Sequence, residues 1–294
     1  MFTTLQECCE TATYAFLQKL VMKKLGLREE QLTIDGFTLS YARRGGADPL
    51  LLVHGFATDK HSWSQMIHHI ERSRPVISID LPGWGRSSFD PKARYTPEDQ
   101  AHRLEAFRKA LGLERWHLAG ISMGGAIVGT YAALYPDRVL SLSLLDAAGI
   151  SGTRLTPFFH EVQAGRNPLI VEKPGDLDTL LAFVFLKPPR MPGFMRRAMI
   201  AHYRQRLDIQ KQLFTDLIAV LDGVEQGLPR ITAPIQVIWG RHDQVVDVSC
   251  VDTLKRLRSD LKVTIFEDCA HFPIMEKPRA TARALVEHSF GMSP

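Results

Sequence analysis

The sequence predicts an α/β fold with a mostly parallel central sheet, helices on both faces and an inserted helical cap. Short apolar runs alternate with helical patterns between residues 50 and 149, as in parallel sheets whose strands are joined by helices. The alternation stops over 150–227, where we find no convincing strand, and it resumes at residue 234. A segment that interrupts the pattern in this way predicts an insertion into one domain, not a second domain in series.

The N-terminal part predicts a helix followed by a hairpin. Apolar residues recur at a spacing of three to four, which predicts an amphipathic helical extension over 1–27. These residues are Phe2, Leu5, Cys9, Ala12, Phe16 and Leu20. The following stretch, "LTIDGFTLSYARRGG", alternates apolar and polar residues around Asp35-Gly36, which is a strong hairpin signal.

The next elements follow the alternation of strand and helix. "PLLLVHGF" is a continuous apolar run, which favours a buried parallel strand. Thr96 and Pro97 stand where an N-cap and a first helical turn are expected, so a helix begins there. The predicted elements are a helix over 61–72, a strand over 75–80, a helix over 97–112, a strand over 115–121, a helix over 122–135 and a strand over 139–147.

The cap and the last elements complete the predicted organisation. After the strand-free segment we predict a strand over 234–240, a helix over 248–259, a strand over 262–268 and a helix over 278–290. The core therefore comprises 28–149 and 228–294, and the helical cap comprises 150–227. The cap is rich in residues suited to an acyl slot or to its own core: Phe158, Phe159, Phe183, Phe185, Phe194, Met191, Met195 and Met199.

Composition excludes several classes of protein. A formal net charge of +4, without any run of five like charges, does not suit a nucleic-acid-binding protein. The four cysteines have no metal-type spacing with histidines and suit a reducing, cytoplasmic compartment. We therefore predict no metal and no nucleic-acid partner. Oligomeric state is left open by the sequence.

The N-terminal helix leaves two interpretations open. The sequence has no secretory signal pattern and no run of about 18 apolar residues that would span a bilayer. The helix could pack on the domain, or residues 1–25 and the cap could contact a membrane peripherally. We prefer the first interpretation, whereas Lys19, Lys23 and Lys24 beside an apolar stripe support the second.

The stretch "GISMG" places Ser122 between Gly120 and Gly124, where an apolar strand meets a helix. A serine hydroxyl becomes a nucleophile only when a base removes its proton and an oxyanion site stabilises the product. A Gly-x-Ser-x-Gly elbow at a strand-to-helix turn exposes the serine for that purpose. Ser122 is therefore the candidate nucleophile.

The acid and the base are expected after later strands. Asp243 follows the strand that resumes the alternation, and His271 follows the last strand. Carboxyl ends of parallel strands gather catalytic groups at one edge of the sheet. Asp243 and His271 are therefore the candidate acid and base. Asp146, at the end of the strand after the elbow, and Asp247 are alternatives for the acid.

Two backbone N–H groups are expected to form the oxyanion hole. One belongs to Met123, which follows the nucleophile at a helix N-terminus, where the helix dipole favours negative charge. The other is assigned to Phe56, in the loop after "LLLVHGF". We expect His54 to brace that loop, and Asp80 to shape a turn without a catalytic part.

These motifs resemble those of the α/β-hydrolase superfamily along nearly the whole chain. The matching pieces are "HGF", "DLPGWGRS", "GISMGG", "GRHDQVV" and "AHFPIMEKP". Within the superfamily the chain is similar to bacterial family V lipases and the related monoacylglycerol lipases. The resemblance implies a cofactor-free serine esterase or lipase that cleaves acylglycerol-like or other lipid esters through an acyl-enzyme.

Two other functions fit the same motifs. A C–C bond hydrolase of ring-cleavage products keeps a serine triad and a similar elbow. A non-catalytic ligand receptor of this fold would keep the motifs without the reaction. Related enzymes with a carboxylate nucleophile are disfavoured, because Ser122 occupies the nucleophile position.

Overall fold

The computed structural model describes residues 5–219 and 223–291, and the predicted helix position Phe2 lies outside these ranges. Eight strands of the described chain form one sheet in the order β1-β2-β4-β3-β5-β6-β7-β8. The strands are β1 (Arg28–Ile34), β2 (Phe37–Arg44), β3 (Leu50–Val53), β4 (Val76–Ile79), β5 (Trp116–Ile121), β6 (Val139–Leu145), β7 (Ile235–Gly240) and β8 (Lys262–Phe266).

In the order of the sheet, all neighbouring strands from β4 to β8 are parallel, whereas β2 is antiparallel to both of its neighbours, β1 and β4. This confirms the predicted fold class. Val53 at the end of β3 lies beside Gly120 near the end of β5. That register brings the loop after β3 next to the turn that carries Ser122, so the sheet itself assembles the candidate site.

Helices connect and cover the strands. They are α1 (Leu5–Lys24), α2 (Ser64–Ile67), α3 (Pro97–Ala110), α4 (Met123–Leu134), α5 (Pro157–Gln163), α6 (Asp176–Val184), α7 (Gly193–Gln205), α8 (Leu207–Ile218), α9 (Gly223–Gly227), α10 (Cys250–Leu257), α11 (Pro273–Glu276) and α12 (Pro278–Phe290). Helices α5 to α9 lie between β6 and β7, and no strand occurs in the described part of 150–227.

Two local predictions are confirmed by backbone geometry. Asp35 and Gly36 both have positive φ angles, 45° and 80°, as a two-residue hairpin turn requires. Thr96 caps α3 with its side chain, and the Asp99 carboxylate accepts in return from the Thr96 backbone N–H. This reciprocal capping box explains why α3 begins where the sequence predicts it.

The predicted helix over 61–72 is wrong in length. A 3₁₀ turn over Lys60–Trp63 leads into α2, which ends at Ile67. The Arg44 guanidinium donates hydrogen bonds to the carbonyl oxygens of Ile70 and Glu71 at 3.0 and 2.9 Å. These carbonyls bond to a side chain from β2 instead of extending a helix.

Helix α1 packs against α7, but those side chains of the predicted apolar stripe that the structure describes, from Cys9 onward, do not face the core. Cys9 is exposed, and Phe16 and Leu20 are 60% and 45% exposed. Met22, near the end of α1, is fully buried. Among the described helices, none combines the length and apolar character that crossing a membrane requires.

Candidate active site

Ser122 stands at a strained turn between β5 and α4. Its φ is 54° and its ψ is −119°, a conformation that residues with a side chain rarely adopt. The backbone holds the turn: Ser122 N–H donates to the carbonyl of Leu145, and its carbonyl accepts from Ala126 and Ala148. Strain of this kind persists only where the surroundings fix it, and it is common at functional sites.

The two glycines of the elbow are required by close backbone contacts. A Cβ on Gly120 would lie 2.2 Å from the carbonyl oxygen of Gly124. A Cβ on Gly124 would lie 2.2 Å from the carbonyl oxygen of Val53. Strand β5, helix α4 and strand β3 can therefore meet at this point only without side chains.

His271 and Asp243 form a buried hydrogen-bonded pair. His271 Nδ1 lies 2.7 Å from Asp243 Oδ2, and Asp243 Oδ1 accepts from the N–H groups of Val245 and Val246 at 2.7 and 3.0 Å. The carboxylate is thus fixed by its own loop and orients the imidazole. With Nδ1 donating, the lone pair lies on Nε2, which can accept a proton.

Ser122 and His271 line the same cavity, whose volume is about 780 Å³. The Ser122 hydroxyl is not hydrogen-bonded to His271 in this structure. Hydrogen bonds between a nucleophile and its base are often long before substrate binds, and they tighten in the complex. The geometry therefore joins Asp243 to His271 directly and brings Ser122 to the same cavity.

Asp146, one of the alternative acids, lies beside the pair and is fully buried. One of its carboxyl oxygens, an oxygen of Asp243 and a ring nitrogen of His271 all lie within 4.8 Å of one another. Its Oδ1 accepts from Gly240 N–H at 2.8 Å, and its Oδ2 has no partner. Burial, followed by the neighbouring Asp243 carboxylate, raises the pKa of Asp146 well above its usual range.

The hydrogen bonds of Asp247 and Asp243 show how each of these carboxylates is used. Asp247 accepts from Ser249 N–H and pairs with Arg154 at 3.1 Å, so its carboxylate is used at the start of α10. The two carboxylate oxygens of Asp243 already accept hydrogen bonds from three N–H groups. This donor set is that of an oriented acid–base pair and does not resemble a metal site.

The N–H groups of Phe56 and Met123 are free to donate. Met123 is the first residue of α4, and neither N–H is hydrogen-bonded within the described chain. A Cβ on Gly55 would lie 3.3 Å from the Ser122 Cβ, so the loop after β3 adjoins the serine. The Phe56 ring packs edge-on against Trp84, with centroids 4.9 Å apart.

His54 braces the same loop, as expected. Its ring donates from Nδ1 to the Gly55 carbonyl at 2.8 Å and accepts at Nε2 from Leu81 N–H at 3.2 Å. Burial lowers the pKa of His54, which matches a neutral ring with one donor and one acceptor. The loops after β3 and β4 are thereby held in register.

Asp80 lies beneath this loop as part of a buried ion pair. It accepts from Lys60 Nζ at 2.7 Å, from Lys60 N–H at 2.8 Å and from Arg86 N–H at 2.9 Å. Lys60 and Asp80 are fully buried. Asp80 therefore shapes the turn, as expected. The buried lysine was not foreseen, because a single lysine in sequence is most often exposed.

Helix α7 closes the cavity over the loop after β3. Tyr203 donates its hydroxyl to the Ala57 carbonyl at 2.8 Å and joins α7 to that loop. Met191, Met195 and Met199 from this part of the chain, and Phe185 just after α6, line the cavity. Phe159, another candidate, is exposed. Sequence reasoning missed Tyr203, because helical spacing alone does not reveal what a cap helix covers.

Comparison with known proteins identifies the family of this chain. A family model described as alpha/beta hydrolase fold matches residues 48–211, more than half of the sequence. The chain belongs to the α/β-hydrolase family. The expected resemblance is therefore confirmed.

Curated relatives are lipases. The chain is 30% identical over 266 residues to monoacylglycerol lipase ABHD6 of Mus musculus, covering 85% of this chain and 78% of the relative. It is 30% identical to Lipase 1 of Psychrobacter immobilis, covering 90% and 86%. Because these relatives are carboxylic ester hydrolases, the predicted enzyme class is confirmed.

A solved structure of a bacterial membrane phospholipase A, described as a virulence factor, is similar over most of the chain. It covers 97% of this chain and 93% of that protein, with a TM-score of 0.89 and 34% identity. The match includes the segment between β6 and β7, so the similarity extends beyond the sheet.

Proposed function

We propose that the protein hydrolyses lipid esters of the acylglycerol type with Ser122 as nucleophile, His271 as base and Asp243 as acid. The observation that carries the proposal is the buried 2.7 Å pair of His271 and Asp243 on the cavity that also contains the strained Ser122. The curated relatives are lipases, which supports the lipid substrate.

The proposed reaction begins when substrate brings Ser122 Oγ and His271 Nε2 within hydrogen-bond distance. Oγ attacks the ester carbonyl carbon while its proton passes to Nε2, and Asp243 stabilises the resulting imidazolium. The tetrahedral intermediate collapses, and Nε2 returns the proton to the departing alcohol. Water then attacks the acyl-enzyme by the same route and releases the carboxylic acid.

The backbone N–H groups of Phe56 and Met123 are proposed to stabilise the oxyanion. Both are unengaged within the described chain, and Met123 lies at a helix N-terminus. Removal of one such donor typically raises the barrier by about 3–4 kcal/mol. These groups are fixed by the elbow and by the braced loop after β3, so they need no rearrangement during the reaction.

The wall of the cavity suits an amphiphile with one acyl chain. Helix α6, with Phe185 just after it, and the first half of α7 contribute apolar side chains, including Leu181, Phe185 and Met195. The end of α7 and the loops after β3 and β4 contribute Asp59, His61, Arg86 and Arg206. We propose that residues 150–227 act as a cap whose apolar part holds the acyl chain.

Turnover of a p-nitrophenyl ester series of increasing acyl length tests this function. Ser122→Ala should lower kcat by more than about a thousandfold, whereas Ser259→Ala, an exposed serine before β8, should leave kcat unchanged. A vinylogous diketone acid serves as the competing substrate. Rapid turnover of that compound alone would contradict the proposal and favour a C–C hydrolase.

We also propose that α1 rests on a lipid surface beside the mouth of the cavity. Leu17 and Val21 line the cavity and are themselves exposed, and the side chains of Phe16 and Leu20 are exposed next to them. Lys19 and the basic last turn of α1 add positive charge. Apolar side chains flanked by lysines are typical of helices that lie at a membrane interface.

Flotation with phosphatidylcholine vesicles, with and without phosphatidylglycerol, tests the membrane contact. The double variant Phe16→Glu/Leu20→Glu should bind at least about tenfold more weakly, because each lost apolar contact is worth about 2 kcal/mol. Leu257→Glu, a comparably exposed leucine on α10, should bind like the wild type. Equal flotation of all three proteins would contradict this proposal.

A further inference from the structure

The charged residues at the polar part of the cavity form a connected network of ion pairs. Lys60 pairs with Asp80 at 2.7 Å, His61 lies 3.1 Å from Asp59 and 3.0 Å from Glu29, and Arg86 lies 3.3 Å from Glu29. The network contains three basic and three acidic side chains: Lys60, His61, Arg86, Glu29, Asp59 and Asp80.

The network is electrically balanced near neutral pH. Burial disfavours the charged form of His61, but hydrogen bonds to Asp59 and Glu29 outweigh it and raise the pKa of His61 to about 9. The imidazole therefore counts as a cation. Three cations then face three carboxylates, and the network carries no net negative charge.

Arg206 is a further cation. It follows α7, lines the cavity and donates to the Gly83 carbonyl at 2.5 Å. No carboxylate of the described residues forms a direct ion pair with it, and partial burial lowers the pKa of Arg206, although Asp80 and Asp59 act in the opposite direction. A half-buried guanidinium without a direct ion-pair partner is costly unless a ligand that enters the cavity supplies a negative charge next to it.

The position of Arg206 matches the headgroup side of an ester substrate. Gly83, which accepts from Arg206, is followed by Trp84, whose ring packs on Phe56 of the proposed oxyanion loop. Tyr203, one turn earlier, bonds to the same loop at Ala57. Arg206 therefore lies near the loop that would hold the ester carbonyl.

We propose that Arg206 binds the phosphate of an anionic headgroup, so that the preferred substrate is a monoacyl glycerol phosphate rather than a neutral acylglycerol. This rests on the proposed ester hydrolysis and specifies its substrate class. A guanidinium suits the choice because it forms paired, charge-assisted hydrogen bonds with phosphate oxygens.

Hydrolysis of decanoyl glycerol phosphate and of decanoyl glycerol, which differ only in the phosphate, tests the proposal. Wild-type kcat/KM should favour the phosphate ester by at least about tenfold. Arg206→Met should remove most of that preference through KM, and Arg206→Lys should retain part of it. Arg204→Met, an exposed arginine on α7 outside the cavity, is the matched control and should keep the full preference.

Binding separates failure of this inference from failure of the ester hydrolysis. Decyl phosphate and decanol are titrated calorimetrically into wild type and Arg206→Met. If no ester is cleaved but decyl phosphate still binds about tenfold more tightly in the presence of Arg206, the hydrolysis is wrong and the subsite stands. Equal turnover of both esters, an equal loss for both in Arg206→Met, or inorganic phosphate competing as well as decyl phosphate would overturn the inference.

Discussion

The sheet edge around Ser122 and the cap above it are built in opposite ways. At the sheet edge, backbones meet within contact distance at Gly120 and Gly124, and His54 and Asp80 are buried with partners. In the cap, charged pairs such as Lys211 with Glu172 are half exposed. The proposed reacting groups are thus held by close backbone contacts and buried ion pairs, whereas the proposed cap carries exposed pairs whose loss we expect to cost little stability.

Glycine substitutions should give the largest difference between these two layers, the sheet edge and the cap, in the free energy of unfolding. Gly124→Ala places a methyl group 2.2 Å from a backbone oxygen of β3, so we expect a loss of more than about 4 kcal/mol in the free energy of unfolding. Gly175→Ala, at the start of α6 with a φ of −70° and open space around it, should be nearly neutral. Urea unfolding measures both, and similar losses would break the distinction.

Substitution of a buried and of an exposed lysine compares the stability of the same two layers. Lys60→Met leaves the Asp80 carboxylate buried without its partner, which typically costs about 3–5 kcal/mol. Lys211→Met removes an exposed pair in the cap and should not change the unfolding midpoint measurably. A midpoint for Lys60→Met close to that of the wild type would mean that the pair does not hold the loop after β3.

Asp146→Asn is the last comparison, and its expected effect on stability is distinctive because it depends on pH. Because the folded pKa of Asp146 is raised, folding takes up a proton at neutral pH, and wild-type stability is lost as pH rises above the pKa of an unfolded aspartate. The amide removes this cost and keeps an acceptor for Gly240 N–H. The advantage of the variant in unfolding free energy should grow by up to about 1.4 kcal/mol per pH unit.

Denaturant unfolding of wild type and variant between about pH 5 and 8 measures this difference. Most proteins are stable over roughly this pH range. The variant should also keep ester turnover, because the hydrogen bond between His271 and Asp243 does not involve Asp146. Parallel stability curves would mean that Asp146 is ionised in the folded protein.

Much of the fold could be predicted because its signals are local. The Asp35-Gly36 turn, the Thr96 cap and the apolar runs of the parallel strands each depend on a few neighbouring residues. The helix over 61–72 was predicted too long: it ends at Ile67, and the residues that follow are hydrogen-bonded to Arg44, which lies far away in sequence. Hydrophobic periodicity does not indicate hydrogen bonds between a side chain and carbonyl groups that lie far away in the sequence.

The candidate site divides in the same way. Ser122, Asp243 and His271 stand at strand ends, which a linear pattern reveals. Arg206 and Tyr203 are placed by how the cap helices fold back over the sheet, and nothing in their neighbouring residues indicates that packing. Asp146 could be named as an alternative acid, but its unpartnered oxygen became visible only in three dimensions.

Labelling with a fluorophosphonate tests most directly whether the three side chains act together on one hydroxyl. The folded wild type should be modified at Ser122, identified by peptide mass spectrometry, and His271→Ala should react at least about a hundredfold more slowly. His242→Ala, an exposed histidine beside Asp243, should react like the wild type. An unlabelled Ser122 in folded protein, or equal labelling of wild type and His271→Ala, would contradict the proposed hydrolase and favour a non-catalytic receptor.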